Sequence, residues 1–222
     1  MNVPVLFEDN HLLFVEKPVN VPVQEDSSRD MDLLTFLKED IKIRYNKPGN
    51  VYLGLLHRLD RPVGGVMVFA KTSKAASRLS DAFRTHSVTR KYLAVVRGKL
   101  PKKQDVLVDY LVKDAKKNMV YSVESTHKEA KKAILEYKVI HSKGDFSLLS
   151  VQLHTGRPHQ IRVQLAARGT PLFGDQKYGK AVNQPCQQIA LWSHSLTLIH
   201  PTKKEEIHVT SPTPNEYPWN IW

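Results

Sequence analysis

The sequence predicts an α+β fold: a twisted, mixed but mostly antiparallel sheet with flanking helices and a basic cleft across its middle. Three observations predict it. Apolar runs of strand length recur from Val5 to Thr210, whereas helical periodicity is confined to three segments and does not alternate regularly with the strands. The chain has 222 residues and is 41% hydrophobic, enough for one sizeable core. No repeat, low-complexity linker or shift in composition divides it, so one domain spanning residues 1–222 is expected.

Val5-Leu6-Phe7 and Leu12-Leu13-Phe14-Val15, joined by the turn-forming Glu8-Asp9-Asn10, read as a hairpin. Lys17-Pro18 leads into an extended stretch through Pro22. Asp30 or Asp32 then caps a helix carrying Leu33, Leu34, Leu37 and Ile41 on one side and stopping before Pro48-Gly49. The run from Gly65 to Ala70 is apolar on both alternating faces, which predicts a strand covered on two sides at the centre of a sheet. Thr72 or Ser73 caps the next helix, where Ala75, Ala76, Leu79, Ala82 and Phe83 recur at helical spacing. A strand follows at Lys91 to Arg97. Lys99 to Lys132 is lysine-rich and weakly periodic, read as short strands with exposed loops. Strands are expected at Ile134 to His141, Phe146 to Leu153, Ile189 to Ile199 and Glu206 to Thr210. Between them lies a helix: Pro158 suits its first turn, Ile161 and Leu165 repeat at i, i+4, and Gly169 followed by Pro171 closes it.

Charge narrows the partner. With 33 Lys and Arg against 22 Asp and Glu the net charge is +11, which favours polyanions and makes nucleic acid the leading partner; a merely solvated lysine face is the alternative. Cys186 is the only cysteine, so an internal disulfide and thiolate-rich metal sites are excluded and a reducing cytoplasm fits. No apolar run approaches the length of a bilayer, and no basic leader precedes a long apolar stretch. A cytoplasmic protein that starts at Met1 and has no membrane partner is therefore expected. The ten histidines lack the spacing and carboxylate company of a zinc motif, and no glycine-rich phosphate loop occurs, so neither metal nor cofactor is expected. The oligomeric expectation is a monomer.

Two clusters could do chemistry. In the first, Leu53 to Gly65, polar groups sit between apolar stretches, and Asp60, flanked by Arg58 and Arg61, could be an ionised nucleophile. The alternative is a structural aspartate capping a turn before Pro62. In the second, Leu153 to Arg162, His159 and Arg162 share a face of the expected helix, opposite Ile161 and Leu165, with Arg157 just ahead of it. That face could meet a loop or a phosphate, or be a basic solvent face.

Together these segments resemble the RluA-type pseudouridine synthases, from about Val5 to Thr210 and in that family's order. His57-Arg58-Leu59-Asp60, with Gly65 and Ala70-Lys71 behind it, resembles the catalytic loop and the strand after it. Lys91-Tyr92-Leu93-Ala94-Val95-Val96-Arg97-Gly98 resembles the tyrosine motif. Thr155-Gly156-Arg157-Pro158-His159-Gln160-Ile161-Arg162, followed by Gly174-Asp175 and Tyr178-Gly179, resembles the third motif. The resemblance implies a single catalytic domain that isomerises uridine in ribosomal or transfer RNA without metal or cofactor. Asp60 would be the catalytic aspartate, Tyr92 the ring that stacks on the uracil, and Arg162 the partner that salt-bridges Asp60. Arg58 would hold the place of the flipped-out nucleotide, with Arg61, Lys91, Arg157, His159 and Gln160 as further RNA contacts. Asp60 could attack the uracil ring, attack the anomeric carbon, or remove a ribose proton.

Three departures stand out. Val63-Gly64-Gly65 replaces the usual Thr-Ser-Gly, Gln164 stands where a histidine is common, and no small RNA-binding domain is expected ahead of Val5. The rival readings are a non-catalytic RNA-binding or ribosome-assembly protein on the same fold, a histidine-dependent RNA hydrolase built on His154 and His159, and a basic DNA-binding surface.

Overall fold

A computed structural model describes residues 1–222. In chain order the first half carries β1 (Val5–Glu8), β2 (Leu12–Lys17), α1 (Leu33–Arg44), β3 (Gly54–Leu55), β4 (Gly64–Ala70), α2 (Ser73–Arg84) and β5 (Thr89–Arg97). The second half carries β6 (Gln104–Asp114), β7 (Met119–Val123), β8 (Lys131–Lys143), β9 (Phe146–Leu153), α3 (Gln160–Ala166), β10 (Leu191–Ile199) and β11 (Glu206–Thr210). The backbone falls into two compact units: Met1–Thr89 with Ser193–Pro212, and Arg90–Trp192 with Thr213–Trp222.

In the first unit the β1–β2 hairpin turns where expected because Asp9 ties the turn. Its Oδ1 accepts the amides of His11 and Leu12, both at 2.8 Å. Asp32, not Asp30, caps α1 by accepting the Thr35 amide, and Thr72 caps α2 through the Ala75 amide. Every residue of β4 is buried, as its two-faced apolar run predicts. Strand β2 lies antiparallel to β4 with Lys17 opposite Gly65, and β3 pairs with the far end of β4. Leu79 of α2 enters a core formed with Leu12, Phe14, Val66, Val68, Leu196, Leu198 and Val209.

In the second unit the strand order is β5-β9-β8-β6-β7, with antiparallel neighbours throughout. Helix α3 places Val163 against Leu111, Val120 and Ala133, and a separate cluster joins Val95, Phe173 and Ala190. The expected α+β class holds: a mostly antiparallel sheet arrangement with three helices. Two elements differ from expectation. The lysine-rich stretch contains an 11-residue strand, β6, whose Val106 and Val108 face solvent, so no apolar alternation announces it. Helix α3 begins at Gln160, two residues after Pro158, because His159 adopts a left-handed conformation with φ of 51°. No helix is long and apolar enough to cross a membrane.

Candidate active site

The loop between β3 and β4 presents Asp60. Its carbonyl accepts the Val63 amide at 2.9 Å, closing a four-residue turn through Arg61 and Pro62. The turn is anchored from below by Lys17, a fully buried lysine at the end of β2. Its Nζ donates to the carbonyls of Pro18, Arg61 and Val63 at 2.9, 3.0 and 2.8 Å. Three carbonyl dipoles match the three protons of an ammonium, and the Arg61 and Val63 carbonyls lie immediately beyond Asp60. Val63, which replaces a hydroxyl residue of the usual motif, is thus tied down by its backbone.

Behind the turn, Gly65 has a φ of +107°, and a Cβ there would lie 2.2 Å from the Ser193 carbonyl oxygen. Only glycine fits so close a backbone approach. His57 contributes from the other side. Its Nε2 accepts the Val68 amide at 3.2 Å, and its ring stacks on Phe83 of α2 with centroids 4.9 Å apart.

The two arginines beside Asp60 take different positions. Arg58 is exposed. Arg61 reaches back over the preceding segment, where its Nη2 pairs with Asp30, its Nη1 donates to Ser28 Oγ at 3.0 Å and its Nε to the Asn20 carbonyl at 3.1 Å. This grip holds the Asp30 carboxyl below its usual range. Arg61 therefore fastens the segment after β2 to the loop that carries Asp60.

Burial pushes the Lys17 ammonium down to about 7, with Asp60 acting in the opposite direction and Arg61 adding to the depression. An unfolded chain keeps that proton to about pH 10.4. Between these values the unfolded state binds more protons, so stability rises with pH. Urea unfolding of the wild type and Lys17→Met at about pH 6.5, 8 and 9.5 will show the difference moving in favour of the wild type as pH rises. A constant difference would make Lys17 a permanent cation.

In the second unit Tyr92 lies on β5, opposite Val151 of β9, with its ring largely buried. Lys91 points to the exposed side of the strand. Arg162 sits on α3 and is only 6% exposed. The expectation for it named Asp60; within its own unit the arginine is held by Asp175. Nε and Nη2 donate to the two carboxylate oxygens, each at 2.8 Å. Although burial alone would raise the Asp175 carboxyl, the Arg162 hydrogen bonds and charge, with the amides of Lys177 and Tyr178, bring it below the ordinary range. The Tyr178 ring lies 5.3 Å from the guanidinium, and its hydroxyl accepts the Val120 amide and lies 2.6 Å from His159 Nδ1. His159 and Arg162 thus meet one tyrosine instead of forming an exposed basic helix face.

Gln160 is buried too. Its Oε1 accepts from Thr155 Oγ1 and the Arg157 amide, and its Nε2 donates to the Ile134 carbonyl and Gln164. Its polar atoms are thereby occupied inside the protein, shaping the loop that carries Arg157. Arg157 is half-buried and its Nε donates to the Lys132 carbonyl. Gln164, the residue standing for a histidine, joins α3 to β6 through Asp109 at 2.6 Å. No group of three or more His, Cys, Asp or Glu is placed to hold a metal ion.

Sequence reasoning assigned no role to Lys17 or Asp175. Asp175 stood inside a recognised motif, so its spacing from Arg162 was an available signal. For Lys17 only the position directly after a buried strand hinted at burial.

The family model for RNA pseudouridylate synthase matches residues 11–167. The chain is 30% identical over 215 residues to the ribosomal large subunit pseudouridine synthase C of Buchnera aphidicola subsp. Acyrthosiphon pisum, covering 94% of this chain and 66% of that protein. It therefore spans just under two thirds of that relative. It is also 30% identical over 225 residues to the tRNA pseudouridine synthase C of Haemophilus influenzae, covering 93% of this chain and 91% of that one. Among solved structures, human RNA pseudouridylate synthase domain containing 4 shares the fold with a TM-score of 0.79 and 24% identity, over 95% of this chain and 88% of that chain.

Proposed function

The chain belongs to the RNA pseudouridylate synthase family, and from that premise we propose that it isomerises uridine to pseudouridine in ribosomal or transfer RNA. The observation that carries this reading is that the matched stretch, residues 11–167, contains Asp60, Tyr92 and Arg162 together. The same stretch crosses the boundary between the two compact units, which supports treating both as parts of one catalytic domain. The glycosidic bond from ribose to uracil nitrogen breaks, the base rotates, and a bond from ribose to uracil carbon forms; that carbon then loses its proton and the freed nitrogen takes one up, so the product is an isomer of the substrate. Asp60 acts as an ionised carboxylate, Tyr92 stacks on the base, and Arg162 completes the catalytic set. Arg58, Arg61, Lys91, Arg157 and His159 contact the RNA, while Gln160 supports the loop bearing Arg157. Extracting a base from a stack costs a few kcal/mol, which an aromatic platform and cations on the phosphates can offset. The enzyme works as a cytoplasmic monomer, with no metal or organic cofactor.

Mapping of pseudouridines across ribosomal and transfer RNA by a carbodiimide readout, in a host with and without the gene, tests this. A site that vanishes on deletion and returns with the wild-type gene supports the reading. If no site changes and purified protein leaves unmodified RNA unaltered, the chain is a non-catalytic RNA binder. Affinity should also fall steeply with salt, with a log–log slope of roughly −0.7 per phosphate neutralised on a single strand. A flat response would remove the cationic contacts.

A further inference from the structure

Arg90, two residues before Tyr92, is the outlier among the buried charges of the second unit. It is 9% exposed, and its Nε is buried without a hydrogen-bond partner. Arg162, the other buried arginine of this unit, has Asp175. A guanidinium cannot shed its charge to relieve burial, so an unpaired one is costly unless an anion completes it.

Its surroundings were shaped to leave it room. A Cβ at Gly156 would lie 2.7 Å from Arg90 Nη1 and 3.5 Å from Nη2. Gly156 has no positive φ, so glycine is not needed there for its backbone conformation. What it supplies is space for the guanidinium. Gly156 is itself exposed, which puts the tip of Arg90 near the surface beneath it. Arg90 and Tyr92 point to the same face of β5, roughly 7 Å apart along the strand. Exposed Lys91 and half-buried Arg157 flank the two ends of this contact in sequence.

We propose that Arg90, seated against Gly156, binds a backbone phosphate of the RNA next to the nucleotide that Tyr92 receives. The proposal rests on the pseudouridine synthase reading and adds a site to it. The partner is a phosphodiester because a single fork of donors beside a base-stacking tyrosine faces the strand that carries the base. Arg90 is a positioning contact in this scheme and takes no part in bond rearrangement.

Two variants test it. Arg90→Gln removes the charge; Gly156→Ala keeps Arg90 but inserts a methyl group where Nη1 lies, displacing the flexible end of the side chain. Both should weaken binding of unmodified substrate RNA by roughly tenfold at moderate salt. Both should also make the log–log salt slope shallower by about 0.7, the signature of one phosphate. Without RNA, the thermal midpoint of Arg90→Gln should equal or exceed that of the wild type, since an unpaired buried charge is gone. The double variant should be no weaker than either single one. Unchanged affinity and slope in Gly156→Ala would overturn the proposal, even if Arg90→Gln failed to fold. Wild-type turnover on the same RNA separates the outcomes: active wild type with unaffected variants refutes the Arg90 site alone, whereas inactive wild type refutes the underlying function.

Discussion

Asp60→Asn will abolish pseudouridine formation, lowering the rate by a factor on the order of 10⁴ or more, while RNA affinity stays close to wild type. Asparagine keeps the shape of aspartate but cannot carry the negative charge that a nucleophile or base requires. The loop will survive the change because backbone atoms hold it. Val63 donates to the carbonyl of residue 60, and Lys17 grips the carbonyls of Arg61 and Val63. Arg61 stays anchored on Asp30 and Ser28. A kinetic assay on unmodified RNA, paired with a binding titration, checks both halves. Product at the wild-type rate would remove Asp60 from the chemistry, and a parallel collapse of affinity would make it a structural residue of the turn.

Asp175→Ala carries the largest expected cost to stability, about 3–5 kcal/mol, because it removes a fully buried carboxylate that holds the buried Arg162 guanidinium through two hydrogen bonds. The amides of Lys177 and Tyr178 lose their acceptor as well. Turnover should fall with stability, since Arg162 loses the carboxylate that orients it. Replacing both partners by apolar residues, Asp175→Leu with Arg162→Met, should recover much of the stability and none of the activity. Urea unfolding of the single and double variants measures this. Equal losses in both would mean that packing at residue 175, not the ion pair, is what matters.

The ion pair also sets an acid limit. The folded Asp175 carboxyl titrates below its unfolded value, so its contribution is complete above roughly pH 4 and is lost as pH falls through the lower, folded value. The stability of Asp175→Ala should accordingly depend less on pH in that acid range than that of the wild type.

Strand β4, the capped helices α1 and α2, and the boundaries of β9 and β11 were legible in the sequence. Each is governed by neighbours within a few residues: an apolar run, a capping hydroxyl or carboxylate, a turn residue. Asp60, Tyr92 and Arg162 were singled out on a different ground, the resemblance of the three segments that carry them to motifs of one family, which the match over residues 11–167 shows the chain to belong to. Composition and periodicity alone left Asp60 undecided between a nucleophile and a turn cap.

Only the tertiary structure decided which polar groups are buried and what each one meets. Lys17 is hidden because a carbonyl 46 residues later accepts from it. Gln164 can lie inside α3 because Asp109, 55 residues earlier, receives its amide. Helix α3, buried from Gln160 to Leu165, thus imitates an amphipathic helix in sequence, and β6 hides its length by turning valines outward. Arg90 reads as one more basic residue until Gly156 is found beside its guanidinium and no acceptor beside its Nε. Apolar burial is written locally, because hydrophobic side chains need only be removed from water. A buried polar group needs a specific partner at hydrogen-bond distance, and that partner is chosen by the pairing of distant segments.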